Sequence, residues 1–130
     1  DSVCATRAAI EEGILPGGGI ALLKISADLV ARGESEPERV ANAILAEAIK
    51  SPFKQILLNA GVDPLQVEKK LKPSQGFDVR NHEYGDMIKM GIIDPVKVTK
   101  NALENAVSVA TTIMSTNAII TNVRDYEGHR

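Results

Sequence analysis

The chain has 130 residues, 44% of them hydrophobic and 25% charged, with a formal net charge of −2, values that suit one globular domain or a piece of one. That charge leaves no electrostatic footprint for nucleic acid or an anionic membrane, and no apolar run reaches the ~18–20 residues of a bilayer span. Aromatic residues make up only 3%, so a core must be built from Ala, Ile, Leu and Val. A lone Cys4 allows neither an internal disulfide nor a zinc site and fits a reducing compartment. The sequence opens on Asp1 rather than Met, with no signal-peptide pattern, and reads as a processed or excised segment.

Residues 2–12 are rich in Ala, Arg, Glu and Ile and predict a helix, ended by Gly13, Pro16 and the triplet Gly17-Gly18-Gly19. A second helix is expected from about Ile20 to Ala31, with Leu22, Ile25 and Leu29 on one face. Gly33 to Pro37 is a polar connector in which Ser35 and Glu38 have capping-box spacing. The helix it opens should run to about Lys50 and turn Val40, Ile44, Ala48 and Ile49 inward. Ser51-Pro52 begins a short helix ended by Gly61, and Asp63-Pro64 is a cap followed by a first-turn proline.

Between residues 73 and 94, Pro73, Gly76, Asn81, Gly85 and Gly91 punctuate short segments, which predicts a small β-hairpin. Asp94-Pro95 should cap and open the longest helix, with Thr99, Leu103, Ala106, Ala110 and Ile113 in register and Val107 and Met114 beside them. The pattern then switches to Asn117–Val123, a β-like run. A terminal strand needs a pairing partner for its backbone, either outside these residues or on another subunit. The residues thus read as a mainly α unit with a small hairpin and a C-terminal strand, without internal repeats or a domain linker.

The glycine triplet has two readings: a helix terminator with a tight turn, or a place where a ligand's sugar or phosphate approaches the backbone at a helix N-terminus. It is not a dinucleotide fingerprint, because a helix precedes it and the GxGxxG spacing is absent, and no Gly-Lys-Ser/Thr follows to make a P-loop. His82 and His129 lie far apart without Cys partners, so no metal site is expected. No Ser-His-Asp or Cys-His arrangement can be composed, and Cys4 on its Ala-rich helix reads as buried and inert.

Several motifs in register carry a resemblance. Asp1, Ala5-Thr6-Arg7-Ala8-Ala9, Glu11-Glu12-Gly13 and Gly17-Gly18-Gly19 resemble the signature of the group I chaperonins, the Hsp60/GroEL family. Gln55–Gly61, Glu83–Met87 and Gly91–Thr99 agree with it in order and spacing, and the likeness covers residues 1 to 123. It implies an equatorial-domain-like helical bundle. Residues 1–12 would be the end of the helix linking intermediate to equatorial domain, and 13–130 the C-terminal portion of the equatorial domain.

By the same resemblance Asp1 matches the catalytic aspartate that polarises the water attacking the γ-phosphate of ATP. Gly17, Gly18 and Gly19 match the corner against the nucleotide, with Gly18 the contacting position. Asp78-Val79-Arg80 match the segment lining the adenine, and Asp94 the acid touching the nucleoside. The sequence departs from the family at Asp78, where Asn is frequent. A carboxylate accepts from an adenine amino group but cannot donate to a ring nitrogen, which opens the question of what that side chain does.

The family uses ATP, Mg²⁺ and K⁺, with metal ligands mostly outside this stretch. Its phosphate-binding loop and client-binding surface have no counterpart here, so these residues alone are expected to be inactive. Implied partners are sibling subunits in a ring homo-oligomer, a co-chaperonin and unfolded polypeptides, in a bacterial cytoplasm or a mitochondrial matrix. Exposed apolar faces should favour a dimer or higher oligomer. The rival reading is a non-catalytic helical protein-interaction module.

Overall fold

The computed structural model describes residues 2–118. The chain is mainly α and runs α1 (Ser2–Glu12), β1 (Ile14–Pro16), α2 (Ile20–Val30), α3 (Glu36–Ile49), α4 (Ser51–Asn59), α5 (Pro64–Lys70), β2 (Gly76–Asp78), β3 (Glu83–Gly85), β4 (Ile93–Pro95) and α6 (Val96–Met114). Its contacts divide it into residues 1–98 and 99–130.

Helix boundaries follow local chemistry. The Glu38 carboxylate reaches back to accept from the Ser35 amide at 3.2 Å, and Pro37 occupies the first turn of α3. Ser51-Pro52 breaks the path between α3 and α4, since proline removes a donor and crowds the preceding turn. At the end of α4 the Val62 amide donates to Leu57 O and the Gly61 amide to Leu58 O, with Gly61 left-handed at φ 71; this is the Schellman arrangement. Asp63 then caps α5 by accepting from the Leu65 amide at 3.0 Å.

The core of residues 1–98 is one cluster of Ile20, Phe53, Leu57, Val67, Phe77 and Met87, with Leu23, Val62, Leu71, Val79 and Ile92 packed against it. It draws one or two residues from each of α2, α4, α5, β2 and the turn after β3, so no single element is stable apart from it. The Lys50–Glu68 ion pair, 2.8 Å and half-buried, ties the α3–α4 junction to α5.

Two faces differ from the sequence pattern. In α2 Ile20 and Ser26 are buried and Leu22, Leu23 and Leu29 half-buried, while Ile25 of the expected face is exposed. Ser26 is admitted to the interior because its hydroxyl donates to Leu23 O at 2.6 Å. In α3 the buried residues are Ala46 and Ile49; Val40, Ile44 and Ala48 are exposed. Positions 46, 49, 53 and 57 make one continuous helical stripe across the Pro52 break, and that stripe sets the face.

Two antiparallel ribbons complete residues 1–98. The expected hairpin is β2–β3, with Phe77 opposite Tyr84. The second ribbon, unanticipated from sequence, pairs β1 with β4, placing Leu15 opposite Asp94. Helix α6 begins at Val96, so Asp94 lies in a strand rather than at the expected N-cap. Pro95 ends β4 without loss, because a proline at a strand terminus on a two-stranded ribbon forfeits no central ladder bond.

Within 99–118 the helix continues to Met114 as predicted. Thr99 and Leu103 are half-buried, and Ala106, Val107, Ala110, Ile113 and Met114 are exposed. Asn117 and Ala118 are not strand; the rest of the predicted terminal strand, 119–123, lies outside the described residues. Among the described residues no helix is long and apolar enough to cross a membrane.

Candidate functional site

Close backbone approach explains the glycine triplet before any ligand is considered. The Gly17 amide donates to Ile92 O at 2.9 Å, and a Cβ on Gly17 would sit 3.1 Å from the Ile92 and Ile93 backbone. A Cβ on Gly19 would lie 2.8 Å from the Phe53 backbone, in a residue with φ 74. Gly18, at φ 70, faces the Met87 methyl, which a Cβ would approach to 3.1 Å. All three positions therefore exclude a side chain, two by left-handed backbone and two by packing against main chain. The turn delivers the chain directly into α2, so the glycine peptides sit at the positive end of that helix.

Met87 holds this corner against the hairpin. Its side chain lies beside Gly18 and also fills the space where a Cβ on Gly76 would go, at the start of β2. It is 2% exposed. The turn that carries it is built by Asp86, whose carboxylate accepts from the Ile88 amide at 3.0 Å. The turn closes with Gly91 left-handed and the Ile92 amide donating to Met87 O at 2.8 Å. The same short turn thus sets Met87 against Gly18 and Ile92 against Gly17.

The structure brings the predicted residues together from three distant parts of the sequence. Gly17 donates to Ile92 O next to β4, and in that strand Asp94 lies opposite Leu15, two residues before the triplet. Through Met87, Gly18 adjoins Gly76 at the start of the strand that ends at Asp78, followed by half-buried Val79 and exposed Arg80. Asp1 lies outside the described residues. Helix α1 precedes the corner, and its Glu11 receives Lys97 at 2.5 Å as well as Arg7 of the same helix at 3.0 Å. Cys4 is exposed, correcting the expectation that it is buried.

The two aspartates differ in character. Asp94 is half-buried, and burial pushes its carboxyl up from the usual range. Asp78 accepts from the Arg80 amide at 2.8 Å, the Asn81 amide at 3.3 Å and Asn81 Nδ2 at 2.8 Å. Those donors, the Arg80 amide first, hold its carboxyl below the usual range. The hairpin turn is completed by His82 at φ 57, with its ring edge-on to Phe77 at 6.0 Å and Phe77 against Tyr84 at 4.9 Å.

Sequence reasoning assigned no role to Met87 and Ile92. Both lie inside motifs that carried the resemblance, and the signal that marks them is the nearby Asp86 and Gly91, the two residues that build their turn. Among the described residues no cluster of three His, Cys, Asp or Glu could hold a metal ion. A cleft of about 290 Å³ between α2 and α5, lined by the Lys50–Glu68 pair, adjoins the corner only at Ile20.

Residues 1–124 match the model of the TCP-1/cpn60 chaperonin family. The chain is 43% identical over 129 residues to Chaperonin GroEL 3 of Psychromonas ingrahamii, covering 96% of this chain and 24% of that protein. It is also similar to the crystal structure of a group III chaperonin in the open state, with a TM-score of 0.71 and 32% identity. That likeness covers 87% of this chain and 25% of the other. The chain thus spans about a quarter of the length of the relatives it matches.

Proposed function

The chain belongs to the TCP-1/cpn60 chaperonin family, and on that premise we propose that it forms the C-terminal part of the equatorial ATPase domain in a group I chaperonin subunit. Identity to the GroEL relative, 43%, exceeds that to the group III structure, 32%, which favours group I. Residues 1–12 are then the end of the helix arriving from the intermediate domain. Residues 13–130 supply one wall of an ATP site and contacts between subunits of a ring that assists the folding of other polypeptides.

The observation that carries this reading is the convergence on Met87 and Ile92 of the glycine corner, the β2 hairpin and the β4 strand. A phosphate-bearing ligand suits this corner. Gly18 presents bare backbone at a helix N-terminus, where dipole and amides favour an anion. Asp94, when ionised, accepts hydrogen bonds from a nucleoside hydroxyl, and in this reading the turn Asp78-Val79-Arg80 lines the base. Asp1 orients the attacking water. Mg²⁺, K⁺ and the principal phosphate loop are supplied from elsewhere in the subunit, with charge stabilisation of the transferring phosphoryl group their contribution. Co-chaperonin and unfolded clients are engaged by other parts of the subunit.

The test is ATP hydrolysis by the full-length protein in Mg²⁺ and K⁺, beside Asp1→Ala. Turnover that falls at least about 100-fold in the variant supports the reading. Equal turnover in both proteins contradicts it, and the 130 residues by themselves are expected to show none.

A further inference from the structure

The cleft between α2 and α5 has a lining that neither the core nor the glycine corner accounts for. Its volume is about 290 Å³. On the α2 side Ile20, Leu23, Lys24, Ala27 and Val30 follow helical spacing and share one face. Leu71, Pro73 and half-buried Gln75 line it from the segment that follows α5. Ser26 also borders the cleft, but its hydroxyl donates to Leu23 O at 2.6 Å, so the floor presents mostly hydrocarbon. The charges around that floor are unbalanced: three lysines, Lys24, Lys50 and Lys72, stand against one acid, Glu68. Lys50 and Glu68 satisfy each other at 2.8 Å. Among the described residues neither Lys24 nor Lys72 has an ion pair or a side-chain hydrogen bond. The excess is local, since the whole chain carries a net charge of −2. The rim is also preformed: the Leu71 amide donates to Val67 O at 3.1 Å, and the Gln75 amide to Lys72 O at 3.0 Å.

We propose that this cleft binds a medium-chain carboxylate, its aliphatic tail on the α2–α5 floor and its charged end at Lys24 and Lys72. Charge complementarity selects the occupant. A small hydrophilic anion leaves the apolar floor wet, and a neutral apolar molecule leaves both cations unmatched. A carboxylate with a hydrocarbon tail satisfies the two together. The lysine ammonium groups ride on flexible stems and can follow the carboxylate. The cleft lies at the lower end of the size range of small-molecule sites, ~300 Å³ and above, which limits the tail to a short one. The site is independent of the nucleotide reading, because the cleft adjoins the glycine corner only at Ile20.

The experiment measures equilibrium binding of octanoate to the full-length protein by calorimetry, with octanol and hexanoate as comparators. Wild type is compared with the double variant Lys24→Gln/Lys72→Gln and with Ala27→Leu, which fills the floor. All three positions are exposed, so folding is not at stake. Octanoate should bind wild type saturably and more tightly than octanol. Hexanoate should bind roughly tenfold more weakly than octanoate, the loss of two buried methylenes. Removing both lysine charges should weaken octanoate about fivefold, the scale of two solvent-screened charge contacts, and leave octanol unchanged. Ala27→Leu should weaken octanoate and octanol alike. A wild type that does not bind octanoate, or binds octanol equally well, overturns the proposal. Octanoate affinity that is unchanged in either variant places the ligand elsewhere on the protein and overturns it too.

Discussion

The two β-ribbons that flank the glycine corner carry one aspartate each, and the two are held in opposite ways. On the β2–β3 hairpin, Asp78 is surrounded by donors from its own turn and its carboxyl is held down. On the β1–β4 ribbon, Asp94 is half-buried, with burial as the cause that pushes its carboxyl up. The first arrangement spends a charge to fix a loop. The second leaves a carboxylate whose charged form is opposed by burial. The ribbons also differ in origin: the hairpin closes over a four-residue turn, whereas the other joins strands nearly 80 residues apart in sequence, Ile14–Pro16 and Ile93–Pro95.

Removing the shared support should erase the difference between them. Met87→Ala takes away the side chain beneath both Gly18 and Gly76, and a Met→Ala change in a core costs about 2–5 kcal/mol. Denaturant unfolding should show that loss, with faster amide exchange in both ribbons together. A smaller and one-sided effect is expected from Gly17→Ala. The added Cβ meets the Ile92–Ile93 backbone, and overpacking of that kind costs about 1–3 kcal/mol. Exchange should then rise at Ile92 and in β1, while Arg80 and Asn81 stay slow. If the hairpin loosens equally, the two ribbons are not the separate units described.

Acid titration sharpens the contrast further. Asp78 has a lowered folded pKa, so its contribution to stability is present above the ordinary carboxylate range and is lost as pH falls through the folded value. Asp94 has a raised folded pKa, so its charged form opposes folding, and that opposition is relieved as pH falls through the raised value. Thermal melts should therefore show Asp78→Ala flattening the acid loss of stability, and Asp94→Asn removing a component of the opposite sign. The smallest change is expected at the α1 attachment. Glu11→Gln breaks exposed pairs with Arg7 and Lys97, which salt already screens, so it should matter only at low ionic strength.

Legibility from sequence followed the range of the interaction. The Ser35–Glu38 box, the Gly61 stop and the Asp63-Pro64 cap were readable because each is settled within a few residues. The β1–β4 ribbon was not, because Ile14-Leu15-Pro16 is too short to show alternation and its partner lies at Ile93-Asp94-Pro95. That pairing is what turned Asp94 from an expected helix cap into a strand residue. The faces of α2 and α3 were only partly legible for another reason. Apolar residues there outnumber those the core accepts, so Val40 and Ile44 matched the period yet remain exposed, and buried Ser26 gives no apolar signal at all. At the candidate site the glycine triplet stood out in the residues themselves, Asp78 and the nucleoside role of Asp94 came through the resemblance, and Met87, which packs against Gly18 and Gly76, was visible only once packing was known.

In the proposed function the glycine corner and the β4 aspartate face a common nucleotide. Amide exchange of the full-length protein with and without Mg-ATP tests it most directly. Slower exchange at Gly18 and Asp94 on adding nucleotide, with the α4–α5 segment unaffected, is the predicted result. Exchange at both amides that is indifferent to Mg-ATP, in a protein that still hydrolyses it, would contradict the placement of the site.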